Sequence, residues 1–562
     1  MRTASLKAVV PACVLLLAMA AVVPGKAQAP AQPAVVIDAG APRAPMSKYI
    51  YGQFIEHLGR CVYGGIWAEM IDDRKFFHPV AEGESPWTIL GAPRSVSMTT
   101  SNAFTGEHSP ELELDGSSGP AGIGQAGLGV VAGARYTGRV LLSGNSEAGP
   151  VEVSLVWGPG SSGRQTVTIR TFDQRYRPYP LAFTAGASSN DARLEIAARG
   201  KGRIRIGTVS LMPASNVEGF RPDVLALLKE LNAPVYRWPG GNFVSGYDWR
   251  DGIGDRDRRP PRKNPAWKGV EHNDVGIHEF MALCRLIGAE PYIAVNSGLA
   301  SAASAAEEVE YVNGAATTPM GAQRALNGQQ APFKVRWWSV GNEMYGTWQL
   351  GHMPLAENVK KHAEFAAAMR AKDPSIELDQ WNYPRALQVC SEPGTRYSLR
   401  DAFGIAAGIH EYSRQSDVDF RANDAQTVNV VGAIKTTKTA AAFDTTGLVL
   451  SLYRARFGLL PVTIAGAPDP LDAAAAWRED RSALTLAIVN PTAEPQTLAL
   501  QVKGAAFAPA ATLRRIAVTD PLAYNEPGKP AAVKIEESTN VPVGDRLTVP
   551  PMSISIYELR PR

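Results

Sequence analysis

The spacing of apolar and polar residues changes character along the chain. Between residues 81 and 215, short segments such as 151–157 and 166–172 alternate apolar and polar side chains, with Gly, Ser and Asn turns between them. Strands with this period of two and this spacing are typical of a β-sandwich. The same pattern returns in residues 461–562, which predicts a second, C-terminal β-sandwich.

Helical and strand patterns alternate between the two β-rich regions. Apolar residues recur every three to four positions in four segments, which predicts helices at residues 222–232, 278–288, 357–373 and 400–416. Short apolar runs between them predict buried strands, among them residues 49–59, 235–241, 291–296 and 425–432. This alternation indicates a (β/α)8-type barrel, of which the sequence supplies six clear strands.

The predicted fold class is therefore multidomain, α/β plus all-β. Its predicted parts are a signal peptide (1–29), a leader and strand joining the C-terminal sandwich (30–45), a first barrel strand region (46–80), an inserted β-sandwich (81–215), the (β/α) barrel (216–460) and the C-terminal β-sandwich (461–562). A chain of 562 residues is long enough for about three domains.

The first residues have the composition of a secretory signal peptide. Arg2 and Lys7 precede an apolar run at residues 8–23, and Ala27-Gln28-Ala29 follows as a small-residue cleavage site. A membrane anchor fits less well, because the run is short for a bilayer and contains a proline. We therefore expect a secreted or periplasmic protein without a membrane anchor.

Charge and cysteine content exclude several other classes of protein. A net charge of +3, from 57 Lys and Arg against 54 Asp and Glu, argues against nucleic acid as a partner. Beyond the signal segment the cysteines are Cys61, Cys284 and Cys390, too few for a disulfide framework and without the paired spacing of a zinc site. Buried free thiols are expected, with at most one bridge.

Polar side chains follow four of the predicted strands. They are Glu56, Arg237 with Asn242, Asn296, and Asn342 with Glu343. The carboxyl ends of barrel strands meet at one end of the barrel, where sites are built, and carboxylate, guanidinium and amide groups bind sugar hydroxyls directionally. The pattern predicts a sugar site, although singly Glu56 also fits a structural ion pair and Asn242 a turn.

Glu343 is the strongest catalytic candidate. It follows a strand that contains Trp337 and Trp338, where burial would favour a protonated carboxyl able to donate a proton to a glycosidic oxygen. The structural alternative is a buried Glu343 paired with a cation such as Arg237.

Four long segments carry a resemblance to a known family. Residues 51–65 (YGQFIEHLGRCVYGG), 236–254 (YRWPGGNFVSGYDWRDGIG), 337–346 (WWSVGNEMYG) and 422–439 (ANDAQTVNVVGAIKTTKT) resemble the α-L-arabinofuranosidases of glycoside hydrolase family 51, in clan A. The resemblance covers nearly all of the mature chain, and the inserted sandwich resembles carbohydrate-binding modules. It implies a retaining, exo-acting hydrolase of L-arabinose metabolism that removes terminal non-reducing α-L-arabinofuranosyl residues from arabinan or arabinoxylan side chains.

The family pattern implies roles for individual residues. Glu343 would be the acid/base and Asn342 a ligand of the sugar 2-hydroxyl, and the pocket for the terminal ring would be completed by Glu56, Arg237, Asn242 and Gln426. The resemblance implies arabinose-containing oligo- or polysaccharides as partners, a homo-oligomer, and no metal or organic cofactor.

Three features depart from the family pattern. The family nucleophile is the Glu of an Asp-Glu-Trp-Asn motif, but this chain has Gln380 there, and an amide is a poor nucleophile. Only 37 positions separate Glu343 from Gln380, where two further strand–helix units are expected, so the barrel is predicted to be shortened between them. Asp424 stands where the family commonly has an aromatic residue.

Three interpretations follow from these departures. The chain is an active arabinofuranosidase with an unusual nucleophile, or a family member that has lost its chemistry through deletion and substitution. The third is a secreted carbohydrate-binding protein that keeps the sandwiches and part of the pocket.

Overall fold

The structure is a computed structural model that describes residues 34–116, 119–379 and 395–562. Its described part contains seven α-helices, labelled in chain order: α1 Pro222–Leu231, α2 Ile277–Ile287, α3 Ala302–Asn313, α4 Pro319–Leu326, α5 Leu355–Lys372, α6 Leu399–Arg414 and α7 Thr445–Arg456. The four helices predicted from periodicity, α1, α2, α5 and α6, are confirmed with ends within two residues of the prediction.

Local sequence signals explain where helix α1 begins and ends. It starts at Pro222, and proline is tolerated there because an N–H in the first turn has no partner within the helix. It ends before Asn232, which adopts a left-handed backbone (φ 52°) and donates its N–H to the Leu228 carbonyl. Between these signals Val224, Leu225, Leu228 and Leu231 form the buried stripe of the helix.

The barrel domain is built on one parallel sheet. Within the described residues this sheet has six strands, in the spatial order Glu377–Asp379, Trp337–Val340, Glu290–Val295, Val235–Trp238, Gly52–Phe54 and Asn423–Asp424. The strands curl into an open half-barrel with the carboxyl ends at one side. The α/β barrel class is confirmed, and the six described strands equal the number that the sequence supplied.

Two of the predicted strands are shorter than expected. In residues 49–59 only Gly52–Phe54 pairs, after a 3-10 turn at Lys48–Tyr51. In residues 425–432 no strand forms, since pairing with Gly52 and Gln53 ends at Asp424. The strand predicted at 49–59 is therefore confirmed only over Gly52–Phe54, and the strand predicted at 425–432 was wrong.

The inserted β-sandwich consists of two five-stranded antiparallel sheets. In spatial order, one contains Arg177–Thr184, Arg135–Gly144, Lys201–Pro213, Ser109–Asp115 and Val96–Thr99, and the other contains Trp87–Leu90, Ala121–Val130, Ser189–Ala198, Val151–Val156 and Arg164–Ile169. Alternate residues of both sheets, such as Val153 and Ile204, are fully buried in one shared core.

The C-terminal β domain is one nine-stranded sheet. Its order is Ile535–Pro542, Ala510–Ala517, Ser553–Leu559, Leu484–Asn490, Asp472–Trp477, Leu460–Ala465, Ala34–Pro42, Gln496–Lys503 and Arg546–Val549. The sheet folds over on itself, because Leu498 and Val549 from one end share a core with Leu486 and Leu513 from the other. Two small hairpins complete the strands: Arg262–Lys263 with Val270–Glu271, and Ile434–Thr436 with Ala441–Phe443.

A buried charge cluster joins the inserted sandwich to a loop of the barrel. Arg74, 1% exposed, donates to Asp274 at 2.6 and 2.7 Å and to Asp257 at 2.9 Å. Arg139 of the sandwich donates to the same Asp257 at 2.5 and 2.7 Å. Although burial opposes its charge, Arg74 and Lys75 hold the pKa of Asp274 well below its usual range. These paired charges fix the barrel loop 255–274 against the sandwich.

Two of the three cysteines fall within the described residues. Cys61 and Cys284 are buried free thiols, as predicted. Burial raises the pKa of Cys61 to about 11 and that of Cys284 further, so neither is a reactive thiolate at neutral pH. Cys390 lies outside the described residues. Among the helices described, none combines the length and the apolar character that a membrane crossing requires.

Candidate functional site

Glu56 lies at the centre of a polar group at the carboxyl end of the sheet. It follows strand Gly52–Phe54 and is 2% exposed. Its Oε1 accepts hydrogen bonds from Trp267 Nε1 at 2.8 Å and from the Phe243 N–H at 3.2 Å, and its Oε2 accepts one from Gln426 Nε2 at 2.7 Å. Burial raises the pKa of Glu56 although these bonds oppose the shift. These three hydrogen-bond donors are neutral, and the Arg237 guanidinium adds a favourable charge that also opposes the rise in pKa.

A Pro-Gly-Gly turn makes room for Glu56. Gly240 has φ 145°, and a Cβ there would lie 2.4 Å from Glu56 Cγ. Only glycine fits this conformation and this approach. The turn carries the chain over the carboxylate to Asn242 and Phe243.

Arg237 and Asn342 form the second half of the polar group. Arg237 Nη2 donates to Asn342 Oδ1 at 3.1 Å, and Asn342 Nδ2 donates to Asn242 Oδ1 at 3.3 Å. Gln349 Nε2 donates to the backbone carbonyl of Asn342 at 2.6 Å. Arg237 also lies over the Phe54 ring at 4.9 Å, in the strand next to its own. The Asn342 amide is thereby held in one orientation.

The two halves meet at the turn. Asn242 contacts Asn342, while the next residue, Phe243, donates to Glu56. The structure therefore brings the five predicted substrate-binding residues into one connected group: Glu56, Arg237, Asn242, Asn342 and Gln426.

Glu343 lies beside this group but is less enclosed than predicted. It adopts φ 47° one residue after Asn342, and its side chain is half-buried. Trp348 Nε1 donates to Glu343 Oε2 at 3.4 Å. The expectation of a buried carboxyl is wrong, because the left-handed turn carries Glu343 beyond the end of the strand. Among the described contacts, Arg237 donates to Asn342 rather than to Glu343.

Gln380 lies outside the described residues. The strand that precedes it, Glu377–Asp379, pairs in parallel with Trp337–Val340, with Asp379 opposite Ser339. The strand leading to Gln380 is thus the direct neighbour of the strand leading to Glu343.

Asn296 has a structural function rather than a place in the polar group. Its Oδ1 accepts hydrogen bonds from the N–H groups of Gly298 and Leu299 at 3.0 Å, and its Nδ2 donates to the Tyr247 carbonyl at 3.0 Å. These bonds form a turn that uses the oxygen and one N–H of the amide. A sugar ligand at Asn296 stays a prediction.

Trp267, Gln349 and Trp348 contact the predicted site residues and were missed by sequence reasoning. Trp267 contacts Glu56 across 211 positions, from a loop without helical or strand periodicity. Trp348 and Gln349 lie only five and six positions after Glu343 in the sequence. Outside a helix or strand, however, a short separation in sequence does not predict a side-chain contact. A tryptophan in an irregular loop near strand ends was the available signal.

Asp424 is half-buried, and its charge interacts with that of Lys435. Burial raises the pKa of Asp424 to about 7 although Lys435 opposes the shift, and burial lowers the pKa of Lys435 to about 8.

Asp424→Asn is expected to change how stability depends on pH. The pKa of Asp424 is about 7 in the folded chain against an ordinary value of 3.8, so the folded state binds the extra proton between these values. The free energy of unfolding of the wild type therefore falls relative to that of Asp424→Asn as pH rises from about 4 to about 7. Urea unfolding of both proteins at pH 4, 5.5 and 7 measures this divergence. The exposed Asp469→Asn is the control, and parallel pH profiles for wild type and Asp424→Asn would contradict the prediction.

Sequence comparison identifies relatives for part of the chain. Residues 227–429 match the α-L-arabinofuranosidase 1 domain, and residues 379–553 match the α-L-arabinofuranosidase C-terminal domain. A probable α-L-arabinofuranosidase C of Aspergillus fumigatus is 45% identical over 166 residues, 30% of this chain and 33% of that protein. An intracellular exo-α-(1→5)-L-arabinofuranosidase of Acetivibrio thermocellus is 44% identical over 164 residues, 29% and 33% respectively. The matches span about a third of the length of these curated relatives.

Structural comparison extends the likeness to the whole fold. An arabinose-bound α-L-arabinofuranosidase of family GH51 superposes with a TM-score of 0.80 at 20% identity, over 94% of this chain and 100% of that chain. The arabinose complex of the Thermotoga maritima α-L-arabinofuranosidase gives 0.63 at 23% identity, over 94% and 100%. Two adjoining stretches of the chain are thus similar to α-L-arabinofuranosidase domains, and the chain shares the fold of these GH51 structures.

Proposed function

We propose that this chain is a retaining, exo-acting α-L-arabinofuranosidase that removes terminal non-reducing α-L-arabinofuranosyl residues from arabinan or arabinoxylan side chains. The observation that carries the proposal is the connected polar group at the strand ends, centred on Glu56 and Asn342. It offers carboxylate, guanidinium and amide groups in fixed orientations, which suits a small ring with several hydroxyls.

The proposed roles are those that the family resemblance implies, and the positions of the groups support them. Asn342, fixed by Arg237 and Gln349, holds the sugar 2-hydroxyl, and Glu56 and Gln426 bind other hydroxyls of the terminal ring. Glu343, half-buried at the edge of the group, protonates the leaving oxygen and then activates water. Its partial exposure leaves room for the outgoing sugar.

A carbohydrate-binding protein with impaired hydrolysis is the second candidate function. The observation that favours it is Gln380, which stands where a retaining enzyme needs a carboxylate about 5 Å from the acid/base. An amide neither attacks the anomeric carbon efficiently nor stabilises the positive charge that develops there. The binding residues described above do not depend on this position.

The proposed partners are arabinose-containing oligo- and polysaccharides. The N-terminal pattern favours secretion or export to the periplasm, and the near-neutral net charge gives nucleic acid no role in the proposal. A homo-oligomer remains part of the proposal on the strength of the resemblance.

A panel of nitrophenyl glycosides tests the proposed function. The purified chain is expected to release nitrophenol and L-arabinose slowly from the α-L-arabinofuranoside, and not from the α-L-arabinopyranoside or the β-D-xylopyranoside. Equal rates on the three glycosides would contradict the proposal. No release, combined with saturable binding of arabino-oligosaccharides, would establish the second candidate instead.

A further inference from the structure

A hairpin turn places the Trp267 indole against Glu56. Residues 264–269 join the paired strands Arg262–Lys263 and Val270–Glu271. Within this turn Trp267 is half-buried, and its Nε1 donates to Glu56 Oε1 at 2.8 Å. Because the turn has no helix or strand of its own, hydrogen bonds outside regular secondary structure must hold the indole in place.

Asn264 makes these bonds at the start of the turn. Its Oδ1 accepts hydrogen bonds from the Trp267 N–H at 2.8 Å and the Ala266 N–H at 3.1 Å, in the manner of an Asx turn. Its Nδ2 donates to the His57 carbonyl at 2.7 Å, and its N–H donates to the Gly269 carbonyl at 3.0 Å. Asn264 is 9% exposed. One buried amide therefore shapes the turn and ties it to His57.

His57 gives the hairpin two attachment points. Its carbonyl accepts from Asn264, and its Nδ1 lies 2.6 Å from Glu271 in the returning strand of the hairpin. Trp238 Nε1 donates to His57 Nε2 at 3.0 Å, so Nδ1 carries the proton that Glu271 accepts. The His57 ring also stacks on Phe243 at 4.5 Å. The bond from Asn264 therefore ends on a residue that several neighbours hold in place.

The Trp267 bond supports the charged form of Glu56. Burial raises the pKa of Glu56, and the hydrogen bond from Trp267 opposes this rise more than those from Phe243 and Gln426. Loss of a donor is costly for a buried carboxylate, which then either turns toward another donor or takes up a proton. Asn264 thus affects the orientation and charge of Glu56, although none of its described hydrogen bonds reaches that carboxylate.

We propose that Asn264 is a positioning residue of the sugar site, which fixes the Trp267 indole and thereby the orientation in which Glu56 binds hydroxyls of the terminal ring. This proposal rests on the proposed function, because the binding role of Glu56 comes from it. Since Asn264 acts through Trp267, its effect on sugar binding disappears once the indole N–H is removed. A general contribution of Asn264 to stability would not depend on residue 267 in this way.

Proton–nitrogen NMR of the indole groups tests the first step without any ligand. The chain has 11 tryptophans, and Trp267→Phe identifies the Trp267 signal as the one that disappears. In the wild type this proton is expected downfield, because it is bonded to a carboxylate. In Asn264→Ala it is expected to move upfield, toward the position of a solvated indole, while the other indole signals stay in place.

Binding of methyl α-L-arabinofuranoside tests the second step through a double-mutant cycle. Asn264→Ala is expected to weaken binding by about tenfold, the order of one hydrogen bond to a charged group. Trp267→Phe is expected to weaken binding by a similar factor. Adding Asn264→Ala to Trp267→Phe is expected to change the affinity by less than about twofold, because the bond to Glu56 is already lost. Calorimetric titration of the four proteins measures the cycle.

Asn264→Asp guards against misfolding, because it keeps the oxygen acceptor for both N–H groups and loses only the donor to His57. It is expected to lie between wild type and Asn264→Ala, both in the indole shift and in affinity. The control is Asn190→Ala, the same chemical change at an exposed position of the inserted sandwich. It is expected to match wild type in both measurements.

The positioning role of Asn264 is overturned if Asn264→Ala binds the glycoside as wild type does, or if its loss is equally large in the Trp267→Phe protein. It is also overturned if both Asn264 variants keep the wild-type indole shift. Failure of the proposed function shows separately, as an indole signal that moves in Asn264→Ala while wild type binds no arabinofuranoside.

Discussion

Gln380→Glu is expected to raise the turnover of nitrophenyl α-L-arabinofuranoside by about 1,000-fold or more over wild type, the scale on which single essential catalytic groups act. In sequence, the substitution supplies a carboxylate directly after Glu377–Asp379, the strand next to the one that leads to Glu343. A carboxylate attacks the anomeric carbon and stabilises the positive charge that develops there. An amide of the same shape does neither well. Initial rates of nitrophenol release measure the gain.

The control for this substitution is Gln330→Glu, which makes the same chemical change at an exposed position. It is expected to leave the wild-type rate unchanged. If Gln380→Glu shows the same rate as wild type while unfolding at the same temperature, position 380 does not carry the nucleophile, and the carbohydrate-binding function becomes the better account.

Glu343→Ala, made in the Gln380→Glu protein, is expected to lower kcat by about 100- to 10,000-fold, the usual contribution of a general acid/base. The rate of the bond-cleavage step should fall less for a dinitrophenyl leaving group than for a sugar, because dinitrophenolate departs without protonation. Steady-state kinetics and the size of the initial burst on both substrates separate the two steps.

The matched control is Glu364→Ala, which removes an exposed carboxylate from helix α5. It should retain full activity. An equal loss of bond cleavage for every leaving group would contradict the assignment, since it would mean that Glu343 supports the site without transferring a proton.

Much of the fold could be predicted from the periodicity of apolar residues along the chain. Helices such as α1 and α2 bury one apolar stripe and carry their own end signals, so local sequence was sufficient to predict them. The sandwich strands alternate because one face is buried. Residues 425–432 failed as a strand because a buried loop and a buried strand are equally apolar, and pairing depends on a partner distant in sequence.

The candidate site was predictable to the extent that it lies at strand ends. Glu56, Arg237 and Asn342 each follow or end a strand, and parallel strands bring their ends together. Trp267 could not be found this way, because its position depends on a loop fixed by Arg74 and the inserted sandwich. Side-chain contacts made by irregular loops have no local pattern.

Asn296 and Glu343 show the limit of the strand-end rule. Both follow buried strands, yet Asn296 closes its own turn, and Glu343 is carried outward by a left-handed backbone. The rule gives the end of the barrel at which a side chain lies, whereas the backbone angles of one or two residues decide how far that side chain is enclosed.

The most direct test of the account is the configuration of the first sugar released by the Gln380→Glu protein from nitrophenyl α-L-arabinofuranoside, followed by proton NMR. The account predicts α-L-arabinofuranose before mutarotation, with one arabinose for each nitrophenol, because two carboxylates act in succession on the same anomeric carbon. The β anomer as first product, or no arabinose from the folded variant, would contradict it.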